Sequence, residues 1–125
     1  LFSDHPEWLI LEAEFELPQG DAAAIKNKMD ELAQKRRSKQ PLDLPSAGST
    51  FKRPEGYFAA ALIDQCGLKG LTVGDAQVSE KHAGFVVNRG SATAGDVRRL
   101  MEQVQSTVLR ETGVTLEPEV KFLGF

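Results

Sequence analysis

The chain has 125 residues, which suits one compact domain and leaves no room for a second large one. It is 41% hydrophobic and 26% charged, an ordinary balance for a folded protein and the wrong one for a disordered segment. A formal net charge of −3 gives no sign of a polyanion partner, which sets nucleic-acid binding aside.

The N-terminus, Leu1-Phe2-Ser3-Asp4-His5-Pro6, has neither an initiator methionine nor the apolar run of a signal peptide, and it reads as the middle of something longer. Residues 8–17 alternate, with Leu9, Leu11, Ala13, Phe15 and Leu17 against Ile10, Glu12, Glu14 and Glu16. That period of two predicts a strand with one apolar and one mostly acidic face. Pro18-Gln19-Gly20 ends it, and Asp21 is a natural N-cap for a helix whose Ile25, Met29, Leu32 and Ala33 form one apolar stripe. The cations of Lys35-Arg36-Arg37-Ser38-Lys39 complement the negative end of that helix's dipole and need no nucleic acid to explain them.

Residues 40–56 are rich in Pro, Gly and Ser and predict a loop, and an ordered loop of this length is often functional. A second helix is expected over 57–66, with Phe58, Ala61, Leu62 and Gln65 inward and Gly67 as its stop. Cys66, the only cysteine, reads as a core thiol; it rules out an internal disulfide and fits a reducing compartment. Residues 67–74 are a turn-rich connection, and 76–79 and 84–88 are short strands. Thr93-Ala94-Gly95-Asp96 has the spacing of a capping box. Behind it Val97, Leu100, Met101, Val104, Val108 and Leu109 keep one helical face, Gly113 stops the helix, and 114–123 is a last strand. The order predicts a small single α+β domain, with helices packed on a mixed or antiparallel sheet. No stretch approaches the about 18 apolar residues of a membrane span, and no residue set suggests a metal site.

Chemistry concentrates in Leu44-Pro45-Ser46-Ala47-Gly48-Ser49-Thr50-Phe51-Lys52-Arg53-Pro54. Gly48 permits a tight turn or close approach to a ligand, Ser49 and Thr50 supply hydroxyls, and Lys52 and Arg53 supply charge for a phosphate or carboxylate. The second Gly and the Gly-Lys-Ser/Thr ending of a P-loop are missing. On spacing alone, a solvated turn with two surface cations is the favoured explanation of the segment. Likewise His82 beside a strand has a structural reading, and Glu119 alternating with Glu117 has one as a solvated strand face.

The stretch 45–54 resembles the PSAGS-x-F-K-N-P signature of UDP-N-acetylenolpyruvoylglucosamine reductases. Leu62-Ile63-Asp64-Gln65-Cys66-Gly67-Leu68-Lys69-Gly70 is similar to the family's LID-x-x-G-L-K-G turn, and residues 78–88 to its VS-x-x-H-A-x-F-x-x-N strand pair. Leu116-Glu117-Pro118-Glu119-Val120 with Gly124 is similar to its closing segment. Four motifs in order over about residues 8–124 are specific where one would not be.

The resemblance implies the C-terminal, substrate-binding domain of a larger cytoplasmic flavoenzyme of peptidoglycan precursor synthesis. Such enzymes reduce UDP-N-acetylglucosamine enolpyruvate to UDP-N-acetylmuramate, with NADPH reducing an FAD held mainly by the N-terminal part. It implies Ser49 as proton donor and Glu119 as the acid that helps stabilise the enolic carboxylate. Lys52, Arg53 and His82 are implied around the diphosphate or sugar; Arg53 stands where many members have Asn, so the Asn contact does not carry over directly. Leu1-Phe2 matches the end of a Tyr-Arg-x-Ser-x-Phe motif whose catalytic Arg lies upstream. Residues 1–18 are therefore expected to be a strand of the flavin-binding part and 19–125 the substrate-binding domain, inactive alone. The other reading is a non-catalytic module for a nucleotide sugar or a protein. Retention of both Ser49 and Glu119 speaks against it.

Overall fold

The computed structural model describes residue 5 and residues 8–124, so the expectations for Leu1 and Phe2 fall outside the described residues. The chain divides into two units, Leu1–Leu32 and Ala33–Phe125. The helix α1, Ala22–Lys39, runs through the division.

In the first unit, Asp21 caps α1 as expected, its carboxylate accepting from the N–H groups of Ala23 and Ala24 at 2.8 and 3.0 Å. The strand expected over 8–17 is absent: residues 8–20 take neither helix nor strand, and Leu9, Leu11, Phe15 and Leu17 are exposed. A strand exists only where a neighbour takes its N–H and C=O groups, and no ladder partner occurs among the described residues. The stripe Ile25, Met29 and Leu32 is exposed too, so α1 is amphipathic in sequence but buries no residue.

The second unit holds the core. Its sheet has four antiparallel strands, β1 (Ser46–Ser49), β2 (Thr72–Val73), β3 (Ala76–Val78) and β4 (Phe85–Asn88), in the order β1-β4-β3-β2. Helix α2 (Ala59–Gln65) packs against α3 (Ala94–Thr112), and α3 packs on β2 and β3. Ile63, Val78, Leu100, Met101, Val104, Val108 and Leu116 are fully buried between them. The α+β expectation holds, with a purely antiparallel sheet.

Several local expectations are corrected. Part of the loop expected over 40–56 is β1, whose pairs Ser46↔Val87 and Ser49↔Phe85 leave one extra residue on β1. Gly48, at φ 86°, lies in that bulge. Proline, glycine and an irregular register hide the strand from a search for period two. Thr72–Val73, within the expected turn-rich connection, pairs with β3 across Gly74 and Asp75. Helix α2 starts two residues late, and it buries Ala59, Leu62 and Ile63 rather than Phe58, Ala61 and Gln65. Cys66 is half-buried at the edge of the core. The last strand is reduced to one bridge, Phe51↔Pro118, and the Thr50 N–H that would extend the ladder to Glu119 donates to the Gly84 carbonyl instead.

Helix α3 follows its pattern closely. Thr93 accepts from the Asp96 N–H at 3.1 Å and donates its own N–H to the Asp96 carboxylate at 2.8 Å, completing the capping box. Gly113 ends it in the left-handed region at φ 74°. Leu109 alone of the expected inner face is exposed.

Candidate functional site

Ser49 closes β1 immediately after the bulge, with its side chain exposed and its hydroxyl without a hydrogen bond among the described residues. It lines a cavity of about 200 Å³ together with Phe51, Arg53, Phe58, His82 and Gly84. Three elements meet there: the end of β1 with the strand-like run after it, the start of α2, and the β3–β4 connection.

His82 is held within that connection. The buried Ser79 hydroxyl accepts from the N–H groups of Lys81 and His82, both at 3.2 Å. The His82 carbonyl accepts from Phe85 N–H at 3.0 Å, and its Nδ1 accepts from Gly84 N–H at 3.1 Å. The Phe85 ring meets the imidazole edge-on at 4.9 Å.

Arg53 is also fixed. Its guanidinium carbon lies 3.9 Å from the centroid of the Phe58 ring, and its Nε donates to the Tyr57 carbonyl at 3.3 Å. The turn through Pro54 and Gly56 (φ 74°) returns the chain so that Phe58 comes back under Arg53.

Lys52 and Glu119 lie elsewhere. Lys52 pairs with Glu117 at 3.1 Å and lines a separate cleft of about 520 Å³ with Arg53, Tyr57 and Thr115. Glu119 is tied to the neighbourhood of Ser49 through its backbone, its N–H donating to the Thr50 carbonyl at 2.9 Å. Its carboxylate is exposed and lines neither cavity. The structure thus brings Ser49, Arg53 and His82 to one cavity, places Lys52 at another that Arg53 shares, and leaves Glu119 beside them.

Sequence reasoning missed Phe58 and Gly84. The spacing puts Phe58 on the inner face of a helix, yet it is 60% exposed. The signal that could have found it is the turn of Pro54 and Gly56, four and two residues before it, which breaks the helical pattern. No sequence signal marks the Gly84 contact.

Among the described residues no cluster of His, Cys, Asp and Glu could hold a metal, and no helix is long and apolar enough to cross a membrane. At about 200 Å³ the cavity at Ser49 falls below the about 300–1,000 Å³ of sites that enclose drug-sized ligands, so it has room for one group of a ligand and not for a whole dinucleotide or nucleotide sugar. No carboxylate lines it, and its two charged or titratable side chains are both hydrogen-bond donors, which suits an oxyanion.

A family model described as UDP-N-acetylenolpyruvoylglucosamine reductase, C-terminal domain, matches residues 40–123. A UDP-N-acetylenolpyruvoylglucosamine reductase from Agathobacter rectalis is 60% identical over 117 residues, which cover 94% of this chain and 37% of that protein. One from Caldanaerobacter subterraneus subsp. tengcongensis is 54% identical over 118 residues, covering 94% of this chain and 39% of that protein. The crystal structure of the Thermus caldophilus UDP-N-acetylenolpyruvylglucosamine reductase superposes with a TM-score of 0.69 at 39% identity, covering 85% of this chain and 37% of that one. The chain therefore spans less than two fifths of the length of these relatives.

Proposed function

Because the chain belongs to the UDP-N-acetylenolpyruvoylglucosamine reductase family, as its C-terminal domain, we propose that it is the substrate-binding part of an enzyme that reduces UDP-N-acetylglucosamine enolpyruvate to UDP-N-acetylmuramate. The observation that carries this reading is the cavity shared by the Ser49 hydroxyl and two oxyanion donors, Arg53 and His82. The substrate has two anionic groups, its carboxylate and its diphosphate, and the reaction must add a proton to the carbon beside the carboxylate. Among the described residues nothing hydrogen-bonds the Ser49 hydroxyl, which leaves it for that transfer, next to donors that stabilise negative charge as it develops. Glu119 is tied by its backbone to the segment beside Ser49 and would act from there, and Lys52 would act from the adjoining cleft.

In this reading, FAD and NADPH belong to the longer protein, upstream residues supply the flavin site and the catalytic arginine, and the enzyme works in the cytoplasm. Residues 1–18 would serve that upstream part as a strand, and the alternation over 8–17 supports this.

The test is a chimera in which the upstream part of the Agathobacter rectalis reductase precedes this chain. NADPH oxidation dependent on the enolpyruvyl UDP-sugar is expected, and Ser49→Ala should lower turnover by about 10²–10⁴-fold while substrate still binds. A folded, flavin-loaded chimera that binds the sugar but never turns over points to the non-catalytic module instead. Full activity in Ser49→Ala removes the proton-donor role.

A further inference from the structure

We propose that Phe58 and Gly84 are positioning residues, presetting Arg53 and His82 as a matched pair of donors for a single oxyanion beside Ser49. The inference rests on the reading of that cavity as the substrate site.

The Gly84 half follows from hydrogen-bond chemistry. The Gly84 N–H approaches His82 Nδ1 at 3.1 Å, so Nδ1 offers a lone pair and the neutral ring carries its proton on Nε2. Nε2 is then a donor, with no partner among the described residues. Space at position 84 is tight. A Cβ at position 84 would lie 3.1 Å from Cε1 and 3.2 Å from Nδ1 of His82, and 3.3 Å from the Ala60 Cβ. Those contacts are tighter than ordinary packing, so with any side chain at 84 the imidazole would have to give by a few tenths of an ångström, and its hydrogen bond with the Gly84 N–H would shift with it. This geometry also argues against His82 as a base for Ser49 through Nδ1, since that lone pair is already engaged.

The Phe58 half follows from exposure. A phenylalanine left 60% exposed at the N-cap of α2, with no capping hydrogen bond, gains little by burial. What it does is carry the Arg53 guanidinium on its face at 3.9 Å. With Nε committed to the Tyr57 carbonyl, the two Nη groups stay unpaired among the described residues. A flat, clamped guanidinium loses less freedom on binding a planar or tetrahedral oxyanion than a mobile one does. The anion is the enolpyruvyl carboxylate or the diphosphate.

The experiment uses the isotope-labelled chain and NMR. Without ligand, at a pH where the imidazole is neutral, the long-range proton–nitrogen spectrum of His82 should show Nε2 protonated and Nδ1 bare. The Arg53 side-chain protons should be shifted by the Phe58 ring current. Gly84→Ala should scramble the tautomer, Phe58→Leu should abolish the ring-current shift, and Phe58→Tyr should restore it. Each of the first two should weaken binding by roughly 3–30-fold. Phe58 is exposed, so its variants keep the core intact. Inorganic pyrophosphate, UDP-N-acetylglucosamine and its enolpyruvyl ether are the probes. Shifts with all three assign the diphosphate, and shifts with the enolpyruvyl ether alone assign the carboxylate. A proton on Nδ1, unaltered affinity in Phe58→Leu, or silence of both side chains toward every probe overturns the proposal. An inactive chimera with these signals intact would overturn only the reductase reading.

Discussion

The hydroxyl of Thr50 accepts a hydrogen bond from the backbone N–H of Val86 at 3.0 Å. Both residues are buried, at 4% and 8% exposure. The bulge in β1 takes the ladder out of step here, and a side chain supplies the acceptor that a carbonyl would otherwise provide. Thr50 N–H donates to the Gly84 carbonyl, and its own carbonyl receives the Glu119 N–H, both at 2.9 Å. One residue thus ties the bulge, the turn that holds His82 and the segment that carries Glu119.

Replacing Thr50 by Val keeps the shape and removes the acceptor, leaving a buried N–H unsatisfied. The expected cost is about 1–3 kcal/mol in urea unfolding, with Thr50→Ser much milder because it retains the oxygen. Equal stabilities for Thr50→Val and the parent would mean that Val86 has another acceptor.

Asp96 ties the start of α3 to acid stability. Its hydrogen bonds from the Thr93 hydroxyl and backbone, and then the nearby Arg99 guanidinium, hold its carboxyl below its ordinary value of 3.8. A depressed folded value gives stability that is fully present above the unfolded value and is lost as pH falls through the folded one. The parent should therefore exceed Asp96→Asn in stability at neutral pH, and the gap should close below pH 3.8. Thermal unfolding of the two proteins as a function of pH measures it. A gap independent of pH would mean that the carboxylate charge contributes nothing.

Gly113→Ala isolates backbone strain. No atom lies within 4 Å of the Cβ that would be added, so space is not at issue, and the φ of 74° is. The expected loss is about 1 kcal/mol, seen as a lowered melting temperature, with Asn tolerated better than Ala. A neutral alanine would show that the helix end relaxes to another conformation.

How much the sequence disclosed depends on how local the cause is. Helix α3 was legible in all but the exposed Leu109, because its inner face, its capping box from Thr93 to Asp96 and its stop at Gly113 are all written within one helical span. Strand β1 was not, since its partner lies some forty residues downstream and its register is broken at Gly48. Residues 8–17 show the opposite failure: a clear alternation states which face would be buried but cannot supply the neighbour. At the site, resemblance named Ser49, Arg53 and His82 as candidates. What holds Arg53 and His82 was hidden, because the Phe58 ring face and the Gly84 N–H matter only once the chain has turned back on itself.

The bridge between Phe51 and Pro118 also fixes alignment. Its two hydrogen bonds run from Lys52 N–H to the Glu117 carbonyl and from Glu119 N–H to the Thr50 carbonyl. Sliding the C-terminal segment one residue so that Glu117 faces Phe51 would require the nitrogen of Pro118 to donate, which it cannot do. Sliding it the other way would set the Glu119 carboxylate against buried Phe51, in the cluster that Leu116 and Val120 now share. One slip lacks a proton and the other buries a charge, so a segment held by a single bridge still has only one place to sit.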